Sequence, residues 1–232
     1  MRFIRLLYLL SCILFQSVLS SQTFDEHGSG SWLEFSGTNK IDEKWSIPLA
    51  GILRHHEPFE VYDFSFIRTG VSYHLSNSII LTGGVAYVNS KSYLDSGEAS
   101  LTFQYWLYEE FTWKNRFSLN SLSHRWRLEN RWIHNNGQTR FNNRFRYRLQ
   151  FQRPIYGKIF VKSSNEVFVN LDGAFFNQNR FYIGIGRELS PDLKIELGYL
   201  KNHFQTSHHN AILMGITFIT DFTRQDLVEI EK

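Results

Sequence analysis

Arginine recurs at every second position in two stretches of this chain. In HRWRLENRW, residues 124 to 132, Arg125, Arg127 and Arg131 share a parity with Glu129; in RFNNRFRYRLQFQR, residues 140 to 153, Arg144, Arg146 and Arg148 share one with Gln150 and Gln152. A guanidinium is always charged in a protein and presents a rigid fork of donors. The chemistry these rows suit is recognition of anions, not bond breaking. Lys158 and Lys162 extend the set further along, and the acids of the same parity, Glu110, Glu129, Glu166 and Glu196, are fewer than the bases. The face is therefore dominated by arginine and only partly ion-paired.

Other groups with chemical potential are weaker. Ser121, Ser123 and His124 suggest a hydrolase of the outer-membrane phospholipase type, in which histidine activates a hydroxyl. Both serines have the parity opposite to His124, so in a strand neither meets it without a bulge. A lipid-modifying hydrolase is kept as the alternative, and no catalytic residue is assigned. His55, His56, His134, His203, His208 and His209, with Glu57 nearby, gather near expected loop ends, but no fixed metal-binding spacing occurs. Neither a metal nor a cofactor is expected. Gly184 and Gly186 follow no strand-to-helix switch, which argues against a nucleotide loop and for tightly packed strand positions.

A spacing of two is the strand period, so the arginines define one face and Trp126, Leu128, Phe145, Tyr147, Leu149 and Phe151 the other. The same division continues through eleven segments: 31–38, 43–54, 61–75, 78–89, 98–111, 121–133, 139–152, 158–170, 179–189, 192–204 and 209–219. Most exceed the roughly 5 to 6 residues of soluble strands, and several reach the ~9 to 11 that a tilted transmembrane strand needs. Connections alternate between tight turns at 39–42, 76–77, 153–157 and 190–191 and longer ones at 55–60, 90–97 and 171–178. This is the pattern of an outer-membrane barrel with short periplasmic turns. An antiparallel barrel closes with an even number of strands, so the expectation is an all-β, transmembrane, antiparallel up-and-down β-barrel of twelve strands, with ten as the alternative. Ten would make 31–38 a lead-in.

The chain has 232 residues, and no linker divides it. Its start, MRFIRLLYLLSCILFQSVLSSQ, carries Arg2 and Arg5 before an apolar run from Leu6 to Leu19, the order of an export signal over residues 1–20. A periplasmic lead-in over 21–30, the barrel over 31–220 and a periplasmic tail over 221–232 complete the expected organisation. The single cysteine, Cys12, falls within the signal, so disulfides are not expected to stabilise the rest. Mean hydropathy of −0.30 is uninformative, because alternation dilutes apolar residues by half. The 16% aromatic content suits strands and membrane-interface girdles alike. A formal charge of +3 is too mild to imply nucleic acid.

The motifs HRWRLENRW (124–132), RFRYRLQF (144–151), SNEVFVN (164–170), QNRFYIGIG (178–186) and IELGYL (195–200), in that order, resemble the bacterial outer-membrane barrel family catalogued as a domain of unknown function. The likeness runs from about Trp32 to Phe218. It implies a barrel in the outer membrane and carries no activity. In length and basic rows, not in motifs, the chain is also similar to the small twelve-stranded porins that pass acidic oligosaccharides, an architectural analogy. The expected partners are outer-membrane lipid and small anionic solutes. The expected lumen is either an anion-preferring pore or a structural interior closed by its own ion pairs. A secreted soluble β-barrel binding module, with its apolar face inside, is the remaining alternative.

Overall fold

The computed structural model describes residues 29–93 and 99–223. The expected export signal with Cys12, residues 21–28 of the lead-in, residues 94–97 of the 90–97 loop and residues 224–232 of the tail lie outside the described residues. The described residues are all-β, and no helix among them is long and apolar enough to cross a membrane. Its strands are β1 (Ser29–Lys40), β2 (Trp45–His55), β3 (Tyr62–His74), β4 (Ile79–Tyr93), β5 (Ala99–Phe117), β6 (Asn120–Asn135), β7 (Gln138–Tyr156), β8 (Ile159–Asn170), β9 (Phe176–Ser190), β10 (Leu193–Phe204) and β11 (His208–Asp221).

They close into one barrel of eleven strands, which corrects both the expectation of twelve and the alternative of ten. Consecutive strands pair antiparallel, but β1 and β11 pair parallel, from Ser29 beside Asn210 to Lys40 beside Asp221. The even-number rule holds only when the closing pair is antiparallel, and here it is not. Strand β1 is part of the wall and not a lead-in, and it begins two residues before the expected barrel boundary. Ser29 and Asp221 stand at opposite rims of the wall.

All connections at the rim holding Asp221 are short, down to the Gly157–Lys158 turn; at the other rim, residues 56–61 and 171–175 form longer loops. The tight β6–β7 connection at that rim is Asn136-Gly137, both with positive φ (49° and 75°). That conformation matches the right-handed twist of a hairpin and favours the Asn-Gly pair.

Polarity is inverted relative to a soluble barrel. Ile185 is 60% exposed, and Val85, Leu197 and Ile216 also face outward, whereas Glu129 inside is 0% exposed. Two apolar clusters also lie within the barrel. Trp32, Tyr182, Leu200, Ala211 and Leu213 form one beside the β1–β11 closure, and Phe66, Ala86, Val88 and Trp106 form the other. On the outer face at the closure, the ring of Phe218 lies where a Cβ on Gly37 would be, and Phe35 covers Gly51 in the same way. Only glycine leaves room for these rings to lie flat across the strand.

Candidate functional site: a cationic lumen

Strands β5 to β8 bring the two arginine rows together. Across β6 and β7, Arg125 stands beside Arg148, Arg127 beside Arg146, Glu129 beside Arg144 and Arg131 beside Asn142. Two of these rungs set like charges side by side, which is destabilising unless counter-charge intervenes. Three acids supply it. Glu129 receives Arg144 at 2.5 Å and Arg146 at 2.6 Å, with Arg127 at 3.6 Å. Glu166, on β8, receives Arg125 at 2.6 Å and Arg146 at 2.9 Å. Glu110, on β5, receives the Nε and Nη2 donors of Arg127, with Arg68 at 3.5 Å and Arg125 at 3.7 Å. Away from this network, Lys162 pairs with Glu196 at 2.5 Å, and the Tyr182 hydroxyl donates to the same carboxylate.

Carboxylates are fewer than cations here, and aromatic rings add further contacts to several of the arginines. The Arg146 guanidinium lies 4.2 Å over Phe168, and Arg144 packs over both Trp106 (5.0 Å) and Phe168 (5.2 Å). Arg180 lies 4.7 Å over Trp32 and 5.0 Å over Phe168, while its Nε donates to Asn202 at 2.8 Å. Ring faces attract cations without neutralising them, so they help position these arginines without cancelling charge beyond what the carboxylates take. Arg131 is met by the amide oxygens of Asn142 and Asn170, which are also neutral.

These side chains surround a cavity of about 190 Å³. Along β7 its lining runs from Arg144 to Gln150, roughly 20 Å of extended chain. Ten cationic side chains line it, against three carboxylates, Glu34, Glu166 and Glu196.

The barrel thus gathers Arg125, Arg127, Arg131, Arg144, Arg146, Arg148 and Lys162 inside, with Glu110, Glu129, Glu166 and Glu196. Lys158 is a correction: it is exposed in the β7–β8 turn, because Gly157 (φ 53°) ends the strand before it. Three lumen arginines and one acid escaped the sequence reading, namely Arg54, which pairs with Asp63 at 2.7 Å, together with Arg68, Arg180 and Glu34. Each has the inward parity of its strand, but none belongs to a run of charged residues at alternate positions, so no row announced it.

The groups with hydrolytic potential are kept apart. His124 stacks between Trp113 (5.1 Å) and Trp126 (5.7 Å), with Nδ1 2.9 Å from the Tyr147 hydroxyl. Ser121 and Ser123 share the parity of Arg125, on the opposite face. Among the rim histidines, His56 and His209 approach to 5.8 Å between ring centres, and His203 and His208 to 6.5 Å. Among the described residues, no group of three His, Cys, Asp or Glu is placed to hold a metal ion.

No curated protein matches the chain in a sequence search. A family model described as protein of unknown function (DUF2490) matches residues 29–212, from the first residue of β1 into β11. The chain that builds this arginine-lined barrel therefore belongs to the DUF2490 family of proteins of unknown function.

Proposed function

We propose that the protein is an outer-membrane β-barrel whose lumen passes small anions through a narrow constriction between the arginine rows. The observation that carries this reading is the long cavity lined by ten cations and three carboxylates. Such a lining lowers the energy of an anion and raises that of a cation. The outer-membrane location is supported by the inverted polarity, since a belt of exposed Ile, Val, Leu and Phe around a charged interior is costly in water and favourable in lipid. The secreted soluble alternative needs the reverse arrangement. A hydrolase of the kind expected would need a serine hydroxyl within reach of His124, whose ring nitrogen meets the Tyr147 phenol instead, with Ser121 and Ser123 on the opposite face.

A second reading has its own observation. Glu129 is buried outright and held by arginines of both central strands, which is how a brace across a closed lumen would be built. Conductance separates the two. Protein refolded or purified from outer membranes is expected to form small channels in planar bilayers, with a reversal potential displaced toward that of the anion in a salt gradient. The double variant Arg127→Gln/Arg146→Gln is expected to reduce that displacement. A wild-type barrel that inserts but never conducts would leave the brace as the better account.

A further inference from the structure

Within the lumen one rung is built unlike its neighbour. The Arg127–Arg146 rung has Glu129 between its guanidinium groups, at 3.6 and 2.6 Å. The Arg125–Arg148 rung has no equivalent. Glu166, the neighbour of Arg148 across β7 and β8, turns its carboxylate to Arg125 and Arg146 instead. Of the arginines lining the cavity, Arg148 alone has neither a hydrogen bond nor an ion pair among the described residues. The Nε atoms of Arg125 and Arg148 are both shut off from solvent without a hydrogen-bond partner, Glu110 standing 3.7 Å from that of Arg125, beyond hydrogen-bond range, and Arg125 is only 6% exposed. A buried donor left unmet costs roughly 1 to 3 kcal/mol, and more when it is charged. Two at one rung, on groups of like charge, mark a place where an acceptor is missing.

The next rung supplies further donors. Gln150 and Ser164 stand side by side across β7 and β8 and line the same cavity, and neither side chain has a hydrogen-bond partner among the described residues. Of the carboxylates facing the cavity, Glu166 and Glu196 are engaged by Arg125, Arg146 and Lys162, and Glu34 looks in from β1. We propose that Arg125 and Arg148, with Gln150 and Ser164, form a binding station for a small tetrahedral oxyanion of the phosphate or sulfate type. Such an ion offers several acceptor oxygens and can satisfy two guanidinium forks, an amide and a hydroxyl together, whereas chloride presents one centre. The station deepens the anion-passing reading, on which it rests for access from water.

Binding and conduction can be measured separately. Full-length protein folded in detergent is titrated with inorganic phosphate by calorimetry, and with sulfate as competitor. A saturable single site is expected. Arg148→Gln should weaken it roughly 10- to 100-fold, the scale of one charge-assisted hydrogen bond. Arg187→Gln, which removes the same charge from the outer face, should change it less than about twofold. If Arg148→Gln does not refold, Gln150→Leu replaces it, with a weakening of roughly 3- to 10-fold expected. Absence of saturable phosphate binding, or equal weakening by the lumen and outer-face variants, overturns the station. Binding without channels in bilayers keeps the station and removes the pore; channels without binding do the opposite.

Discussion

Strands β5 to β8 and the strands around the closure, β10, β11, β1 and β2, build their inner surfaces from different materials. The first group includes the three longest strands, of 19, 16 and 19 residues, and carries Glu110, Glu129 and Glu166 under a layer of arginine. The second has strands of 11 to 14 residues and turns Trp32, Leu200, Ala211 and Leu213 inward. Parallel ladders are slightly less stable per residue than antiparallel ones, so the closing pair is the weaker join. Apolar packing within and the Phe218 and Phe35 rings without support it. Most of the charge facing the cavity, whose desolvation is costly and whose pairing is exacting, sits on strands with antiparallel neighbours, although Glu34 on β1, Arg54 on β2 and Glu196 on β10 also line it. One side of the barrel carries most of the field and the other carries the join.

The largest test of this contrast is Glu129→Gln. It leaves Arg127, Arg144 and Arg146 without their common carboxylate in a fully buried position, and should destabilise the barrel by about 3 to 5 kcal/mol. Urea unfolding in detergent measures this, and added phosphate should restore part of the loss by supplying a replacement anion. Leu200→Ala empties part of the cluster beside the closure, with an expected loss of about 2 to 3 kcal/mol and no recovery on adding phosphate. Recovery at both sites, or at neither, would break the contrast between a charged wall and an apolar one. The smallest effect is expected at Phe168, whose ring lies under Arg144, Arg146 and Arg180. Phe168→Leu keeps the apolar volume nearly constant and removes the ring face, so a loss of about 1 to 2 kcal/mol should appear in the same unfolding assay. A neutral result would show that the carboxylates alone position these arginines.

The eleven segments read from alternation correspond one for one with the eleven strands, because a period of two is written locally in residues such as Arg144, Phe145, Arg146 and Tyr147. The strand total failed for a reason that no local pattern contains. Which strand meets β1 is decided by residues about 180 positions away, as the Ser36–Thr217 hydrogen bond shows. Lys158 had the inward parity but lay past the end of the alternation, and the glycine before it was the available signal. Trp106 and Tyr108 were legible as inward by their parity with Glu110. Their service as platforms for Arg144 and Arg127 was not, since it depends on how β5 is set against the strands that follow it. Arg54, Arg68 and Arg180 show the converse, where parity alone was sufficient but isolation hid it.

An odd number of strands also limits how this chain can be rearranged. Many domains bring their ends close together, which is why circular permutants are often made with a short linker. Here β1 carries the chain from one rim to the other over 12 residues, about 40 Å along the strand, before the wall is complete, and Asp221 finishes at the rim that Ser29 does not occupy. A link between these two points must span the full height of the wall, either threading the arginine-lined bore or running down the apolar exterior. Each hairpin connection among the described residues is a natural place to open the ring, but no short loop can join Asp221 to Ser29.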